Sequence, residues 1–212
     1  MDFGFYNMDC MVGMKQFPDK YFELAIVDPP YGLGQSVVNS GGRFKRYENK
    51  NGNWDNKTPD ATYFKELFRV SKNQIVWGGN YFIDKLSPTK CFLIWDKKQP
   101  QDISFASCEM AWTSFDSVAK TFYQSPMQDK FRFHPTQKPV ALYEWLLQNY
   151  AHKGDKILDT HVGSASSLIA CYNLGFDYVG FELDKDYYRM SQKRLEDVKA
   201  QVSIFDFIKR DD

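Results

Sequence analysis

The sequence predicts an α/β fold, a mostly parallel twisted sheet with helices on both faces, and three observations carry that expectation. Strand-like and helix-like segments alternate along the chain. The run Leu24-Ala25-Ile26-Val27 is continuously apolar, as a strand covered on both faces is. An acid or a small-residue turn directly follows several strand candidates, which is where open α/β sheets place their ligands.

The elements follow in order. Leu24 to Val27 reads as a strand and Ala61 to Val70 as a helix. Gln74 to Trp77 is a strand ending in Gly78-Gly79-Asn80, and Cys91 to Trp95 and Glu109 to Thr113 are further strands. Pro139 to Tyr150 is a helix with proline near its start, where the missing N–H costs nothing. Lys156 to Leu158 is a buried strand, Ser164 to Leu174 a helix stopped by Gly175, Tyr178 to Phe181 the next strand and Lys185 to Ala200 a polar helix. No internal repeat stands out. At 212 residues the chain is expected to form one domain, 1–212, with a core that needs neither disulfides nor metal. Residues 32–57 are rich in Gly, Asn, Lys and Arg and lack periodicity, so they are expected to be a mobile segment that closes over substrate.

Composition excludes several classes. With 43 % hydrophobic and 25 % charged residues the profile is that of a folded, soluble protein. There is no apolar run long enough to span a bilayer, and Met1-Asp2-Phe3 does not open a signal peptide, so a cytoplasmic protein without membrane contact is expected. Cys10, Cys91, Cys108 and Cys171 form no metal-ligand pair, three histidines supply none either, and no metal site is expected. Lys plus Arg equals Asp plus Glu at 27 each, so only local charge bears on a polyanionic partner. Arg43, Lys45, Arg46, Lys50 and Lys57 face only Glu48 and Asp55 in their stretch, which suits phosphate contacts as well as it suits a solvated loop.

The segment Asp28-Pro29-Pro30-Tyr31 carries the chemistry. Each proline fixes φ near about −65° and removes a donor, so the turn is stiff and its carbonyls are free to accept from a ligand. The Asp28 carboxylate and the Pro29 carbonyl converge on one point, and Tyr31 can stack on a planar group there. Two acceptors gripping the hydrogens of an exocyclic amine would draw its nitrogen toward tetrahedral shape and aim its lone pair at an electrophile. A second constellation runs from Lys156 through Asp159-Thr160-His161-Val162-Gly163-Ser164 to Ser167: strand, tight turn, helix. Glu182 ends the next strand 23 residues after Asp159, about where a nucleotide site puts an acid on ribose hydroxyls.

Together these segments resemble the S-adenosylmethionine-dependent DNA amino-methyltransferases, in the permuted subgroup whose catalytic motif precedes the cofactor loop. The resemblance spans nearly the whole chain. It rests on Tyr6 to Asp9 with Cys10, Asp28 to Tyr31, Ile94-Trp95-Asp96-Lys97, the very specific His134-Pro135-Thr136-Gln137-Lys138-Pro139, Gly154 to Asp159, and Gly180-Phe181-Glu182-Leu183-Asp184 with Tyr187 and Arg194. It implies a Rossmann-like methyltransferase fold, S-adenosylmethionine as cofactor and DNA as partner. By that likeness Asp28, Pro29, Pro30 and Tyr31 would be catalytic. Glu182 would hold the cofactor ribose; Leu183, Asp184, Asp9 and Cys10 would form the adenine pocket. Asp159 and His161 would line the cofactor site, Gly163 and Ser164 would offer backbone N–H groups, and Thr136, Gln137 and Lys138 would steady the amino-acid end. Arg43, Lys45 and Arg46 would track nucleic-acid phosphates.

Two departures stand out. Where the family has Asp-Pro-Phe-x-Gly-Ser-Gly-Thr this chain has Asp159 to Ser166 with Ala165 at a glycine position, which bears on cofactor affinity. Many relatives also carry a target-recognition region, whereas only Asp116 to Phe133 precedes His134 here. Recognition would then come from residues 32–57, the short connector, a homodimer partner or another protein. The expected reaction is methylation of adenine N6. Cytosine N4 is the alternative, less favoured because that branch tends to carry Ser in place of Asp28; a non-catalytic nucleic-acid-binding relative is the third reading.

Overall fold

The protein is described by a computed structural model over residues 1–33, 57–100, 106–128, 132–134 and 136–208. Among these residues eight strands build one sheet: β1 (Gly4–Asn7), β2 (Phe22–Val27), β3 (Ser71–Trp77), β4 (Phe92–Asp96), β5 (Cys108–Thr113), β6 (Lys120–Tyr123), β7 (Lys156–Asp159) and β8 (Asp177–Glu182). Five helices accompany them: α1 (Cys10–Met14), α2 (Ala61–Val70), α3 (Val140–Tyr150), α4 (Ser166–Leu174) and α5 (Lys185–Ile208). The spatial order is β1-β8-β7-β2-β3-β5-β4-β6, and β5 runs antiparallel to both of its neighbours while the other pairings are parallel.

The apolar run of β2 shows why helices cover both faces. Ala25 and Val27 point into a cluster with Met14 of α1 and Tyr63, Phe64, Leu67 and Val70 of α2. Leu24 and Ile26, on the opposite face, join Leu142, Leu146 and Leu147 of α3 and Ala170 and Cys171 of α4. Period-2 alternation therefore sends successive side chains into two separate cores, and both must be apolar. Fully burying one such side chain is worth about 1.5–3 kcal/mol, and Leu67→Ala would cost about 2–5 kcal/mol. A third cluster of Val162, Ala165, Leu168, Ile169 and Leu195 ties α5 to the turn before α4.

Local chemistry sets the boundaries. Asp60 caps α2 by accepting from the Thr62 and Tyr63 amides at 2.9 and 3.1 Å. Arg69, in the last turn of α2, reaches back to the Met14 and Phe17 carbonyls and to Asp19, fastening that helix to the segment after α1. Gly175 ends α4 at φ 73°, a left-handed position that glycine takes without strain.

Several expected boundaries move. Of the Tyr6 to Asp9 segment named in the resemblance, Tyr6 and Asn7 end β1, while Asp9 caps α1, accepting from the Met11 amide at 2.7 Å. Helix α4 starts at Ser166 rather than Ser164, because Ala165 sits at φ 63° and cannot be helical. Strand β6 lies inside what the sequence presents as a connector, and α5 continues past Ala200 to Ile208. Among the described residues no helix is long and apolar enough to cross a membrane.

Candidate active site

Because β1, β8, β7, β2 and β3 run parallel, their C-terminal ends share one edge of the sheet. Asp28 follows β2, Asp159 ends β7, Glu182 ends β8, and Gly78 follows β3. Strand β7 lies between β2 and β8, so the Asp-Pro-Pro-Tyr segment and the Asp159 to Ser167 turn are neighbours on that edge.

Asp28 is held from two sides. Tyr31 donates its hydroxyl to Oδ1 at 2.5 Å, and Lys138 donates Nζ to Oδ2 at 2.5 Å. A carboxylate offers about four acceptor directions, so both oxygens keep capacity for a further donor. The buried Pro29 carbonyl accepts no hydrogen bond from the described residues. The Tyr31 ring stacks on Tyr81 with centroids 4.9 Å apart and planes at 16°, and meets Phe82 edge-on at 6.2 Å. Tyr81 itself is 42 % exposed, so an aromatic face is presented to solvent beside Asp28.

Behind Asp28 lies a chain of charges. Lys138, only 2 % exposed, bridges Asp28 and Glu109, with Nζ 2.9 Å from Glu109 Oε2. Lys97 pairs with the other Glu109 oxygen at 2.7 Å. The Lys138 ammonium also lies over the Trp77 ring at 5.3 Å. Burial lifts the Asp28 carboxyl above its ordinary value and the Glu109 charge adds to this, with Lys138 and Tyr31 opposing. Burial would lift Glu109 too, but Lys138 and Lys97 outweigh it and hold that carboxyl well below the usual range. Burial alone would depress Lys138; the two carboxylates overcome it, and the ammonium is held above its ordinary value. Lys138 was expected at the amino-acid end of a cofactor; the structure seats it on Asp28.

The second constellation is organised around two acids. Asp159 accepts from the His161 amide at 2.9 Å and from the Ser167 hydroxyl. Glu182 accepts from the Gly163 amide and from the Asp184 amide, each at 2.9 Å, tying the turn after β7 to the turn after β8. The Gly163 N–H expected to face a ligand is therefore given to Glu182. Ser164 is buried, its hydroxyl against Ser166 and its carbonyl accepting from Arg194. Leu183 is 71 % exposed directly after Glu182, an apolar surface that a flat ring could cover. His161 packs edge-on to Tyr63, and burial lowers it to about 4, so it stays neutral. Burial pushes both Asp159 and Glu182 up to about 7, with the charges of Asp28 and Glu182 adding to the rise at Asp159 and that of Asp184 adding to it at Glu182. A ligand with hydroxyl donors and a positive centre would relieve both effects, which is the chemistry of a sulfonium nucleoside.

The remaining expected residues fall around this edge. Asp9 is exposed in its capping role, and burial raises the Cys10 thiol to about 12, making it an inert wall. The Thr136 hydroxyl meets His134 Nδ1 at 3.1 Å, and buried Gln137 accepts from the Phe133 amide at 3.4 Å. Arg43, Lys45 and Arg46 lie outside the described residues, as does most of the segment 32–57. Three participants escaped the sequence reading. Glu109 and Lys97 look like ordinary strand-end charges until the antiparallel pairing of Trp95 with Glu109 brings them together. Asn7 donates to the Glu182 and Leu183 carbonyls, bracing the β1–β8 edge.

Comparison with known proteins gives the following. The family described as DNA methylase, of N6 and N4 type, matches residues 94–193. The type II methyltransferase M.HpaI of Haemophilus parainfluenzae is 21 % identical over 235 residues, covering 92 % of this chain and 75 % of that protein. The DNA adenine methyltransferase YhdJ of Escherichia coli (strain K12) is 31 % identical over 70 residues, 33 % of this chain and 24 % of its own length. The crystal structure of the M1.HpyAVI–SAM complex superposes with a TM-score of 0.60 at 20 % identity, covering 90 % of this chain and 98 % of that one. The chain shares that fold.

Proposed function

We infer that this chain is an S-adenosylmethionine-dependent DNA methyltransferase that transfers a methyl group to the N6 amine of adenine in DNA. The observation that carries the reading is the Asp28 carboxylate anchored by Tyr31 and Lys138 at the end of β2, beside an acid-lined turn at the adjoining strand end. S-adenosylmethionine, when bound, supplies a methyl group on a positively charged sulfur. Glu182, the exposed face of Leu183 and the turn Asp159 to Ser164 are the residues proposed to hold it, with Asp184 and Asp9 at the rim and Cys10 as a wall. Thr136 and Gln137 complete the proposed pocket on the His134 side.

Asp28 and the Pro29 carbonyl then each take one hydrogen of the extruded amine. That grip localises the nitrogen lone pair, which otherwise delocalises into the ring. So held, the amine would be poised to take the methyl group that S-adenosylmethionine would supply, the thioether leaving with the electron pair of the broken carbon–sulfur bond. The surplus amine proton leaves through Asp28 to water. Extruding a base costs a few kcal/mol, and the aromatic surface of Tyr31 and Tyr81 offsets part of that. Asp rather than Ser at position 28 supports adenine over cytosine.

The unit proposed to do this is a single domain working in the cytoplasm. Arg43, Lys45 and Arg46 are proposed to contact DNA phosphates. The short connector before His134 leaves few side chains for reading bases, so a second subunit or partner protein is proposed to supply recognition. The test is single-molecule sequencing of DNA from cells expressing the protein: N6-methyladenine, absent from an Asp28→Ala control, is the expected result, and N4-methylcytosine or no mark overturns it.

A further inference from the structure

The Lys97–Glu109–Lys138–Asp28 chain is more than a way to satisfy one buried lysine. A lone Lys138 would put its full charge on Asp28, weakening that carboxylate as an acceptor for an amine on which positive charge develops. Glu109 lies on the other side of Lys138, 2.9 Å from Nζ, and shares that charge. Lys97 in turn fixes Glu109 at 2.7 Å from β4, across the Trp95–Glu109 pairing. The four groups sum to zero charge, and 98 % of Lys138 is shielded from solvent, so little water screens the balance.

We propose that Glu109 and Lys97 are positioning residues for methyl transfer, setting through Lys138 how strongly Asp28 can grip the target amine. This rests on the function proposed above. Neither residue hydrogen-bonds Asp28; Glu109 acts on it through the Lys138 ammonium and by its own charge, and Lys97 acts through Glu109. The groups facing Asp28 are Lys138 before α3, Tyr31 on its own turn, Glu109 of β5, Asp159 of β7, and the phenols of Tyr63 on α2 and Tyr143 on α3.

The experiment compares wild type, Glu109→Gln, Lys97→Met and the double variant by single-turnover methylation across pH, cofactor titration calorimetry, and carbon-13 NMR of the Asp28 carboxyl. A directly contacting electrostatic group is worth about 10²–10³ in rate, so a group acting through another should cost roughly tenfold in kcat with KM and cofactor affinity little changed. The pH signature separates positioning from general damage. In Glu109→Gln the ammonium falls wholly to Asp28, and both the acid limb of kcat and the Asp28 titration move to lower pH. In Lys97→Met, Glu109 draws Lys138 away and both move to higher pH. The double variant should match Glu109→Gln, since Lys97 acts only through Glu109. If Glu109→Gln does not fold, Lys97→Met alone carries the test through its upward shift. Unchanged kcat and unchanged Asp28 titration in a folded variant overturn the proposal, as does additive loss in the double. Variants that show the Asp28 titration shifts, beside a wild type that transfers no methyl to DNA, overturn the functional reading instead, and with it any role in that reaction.

Discussion

Gly78 and Tyr31 leave no space between them: a Cβ built on Gly78 would lie 2.2 Å from Cε1 of the Tyr31 ring. Gly78 also holds φ 68°, a left-handed position that a side chain makes costly. The end of β3 is thereby shaped to fit the aromatic residue that follows the end of β2.

Gly78→Ala should accordingly lose stability twice over, through left-handed strain of about 1–2 kcal/mol and overpacking of about 1–3 kcal/mol. Chemical denaturation measures the sum. Because the ring is displaced, methylation should fall further than the stability loss accounts for. A variant within about 0.5 kcal/mol of wild type would mean that the ring moves aside freely.

Asp28→Ala should lower turnover by about 10²–10³, as removal of a positioned electrostatic group typically does. Cofactor affinity should stay near wild type, since the nearest proposed cofactor acid, Asp159, is fixed independently by Ser167 and His161. Retention of more than a tenth of the activity would remove Asp28 from the reaction.

How much of this was readable in the sequence depends on whether an element is defined by its own residues. Helix α2 runs over Ala61–Val70 as read, because Asp60 caps it and its apolar face is internally periodic. Strand β6 has four residues with exposed ends and exists because β4 pairs with it; α1 is a single capped turn of five residues. Neither carries a pattern of its own. The catalytic segment was legible because Asp28 to Tyr31 are contiguous. Its supporting charges were not, because Glu109, Lys97 and Lys138 come together only through the register of β4 on β5 and the path into α3. Ala165, which stands at a position where the resemblance places glycine, is fully buried in one apolar cluster with Val162, Leu168 and Leu195, a packing role that the motif comparison does not reveal.

Ala165→Gly should therefore leave cofactor affinity within about twofold, a difference of roughly 0.4 kcal/mol. Stability should change little, since relief of about 1–2 kcal/mol of left-handed strain offsets loss of a buried methyl worth about 0.8 kcal/mol. A tenfold gain in affinity by calorimetry would instead place that Cβ against the ligand.

Asp159 makes a pH prediction. Its carboxyl is lifted from 3.8 to about 7 in the folded protein, chiefly by burial. Between those values the folded state binds more protons than the unfolded one, so stability falls as pH rises from about 4 through 7, and the full penalty applies above. Asn at this position can still accept from the His161 amide and can donate to the Ser167 oxygen, because a hydroxyl serves in either role. Asp159→Asn should flatten this loss and raise the thermal midpoint at pH 8 by several degrees, each kcal/mol being worth roughly 2–4 °C in a chain of this size. Differential scanning calorimetry at pH 5 and 8 decides; an Asn variant less stable than wild type at pH 8 would show that Asp159 is not a strained charge.

Tyr31 does two jobs, and two substitutions separate them. Phe at this position keeps the ring stacked on Tyr81 but removes the hydroxyl that donates to Asp28 at 2.5 Å. A hydrogen bond to a charged group is worth about 1.5–3 kcal/mol, so turnover should fall roughly ten- to a hundredfold. That hydroxyl also holds the Asp28 carboxyl down, opposing burial, so its loss should move the acid limb of kcat to higher pH. This is the reverse of the shift expected for Glu109→Gln, where a carboxylate that raises Asp28 is removed. Base extrusion, read from 2-aminopurine fluorescence at the target position, should be normal in Tyr31→Phe and weakened in Tyr31→Ala. Equal fluorescence in all three proteins would take the stacking role away from Tyr31, and an acid limb that moved downward in Tyr31→Phe would contradict the hydrogen bond as the control on Asp28.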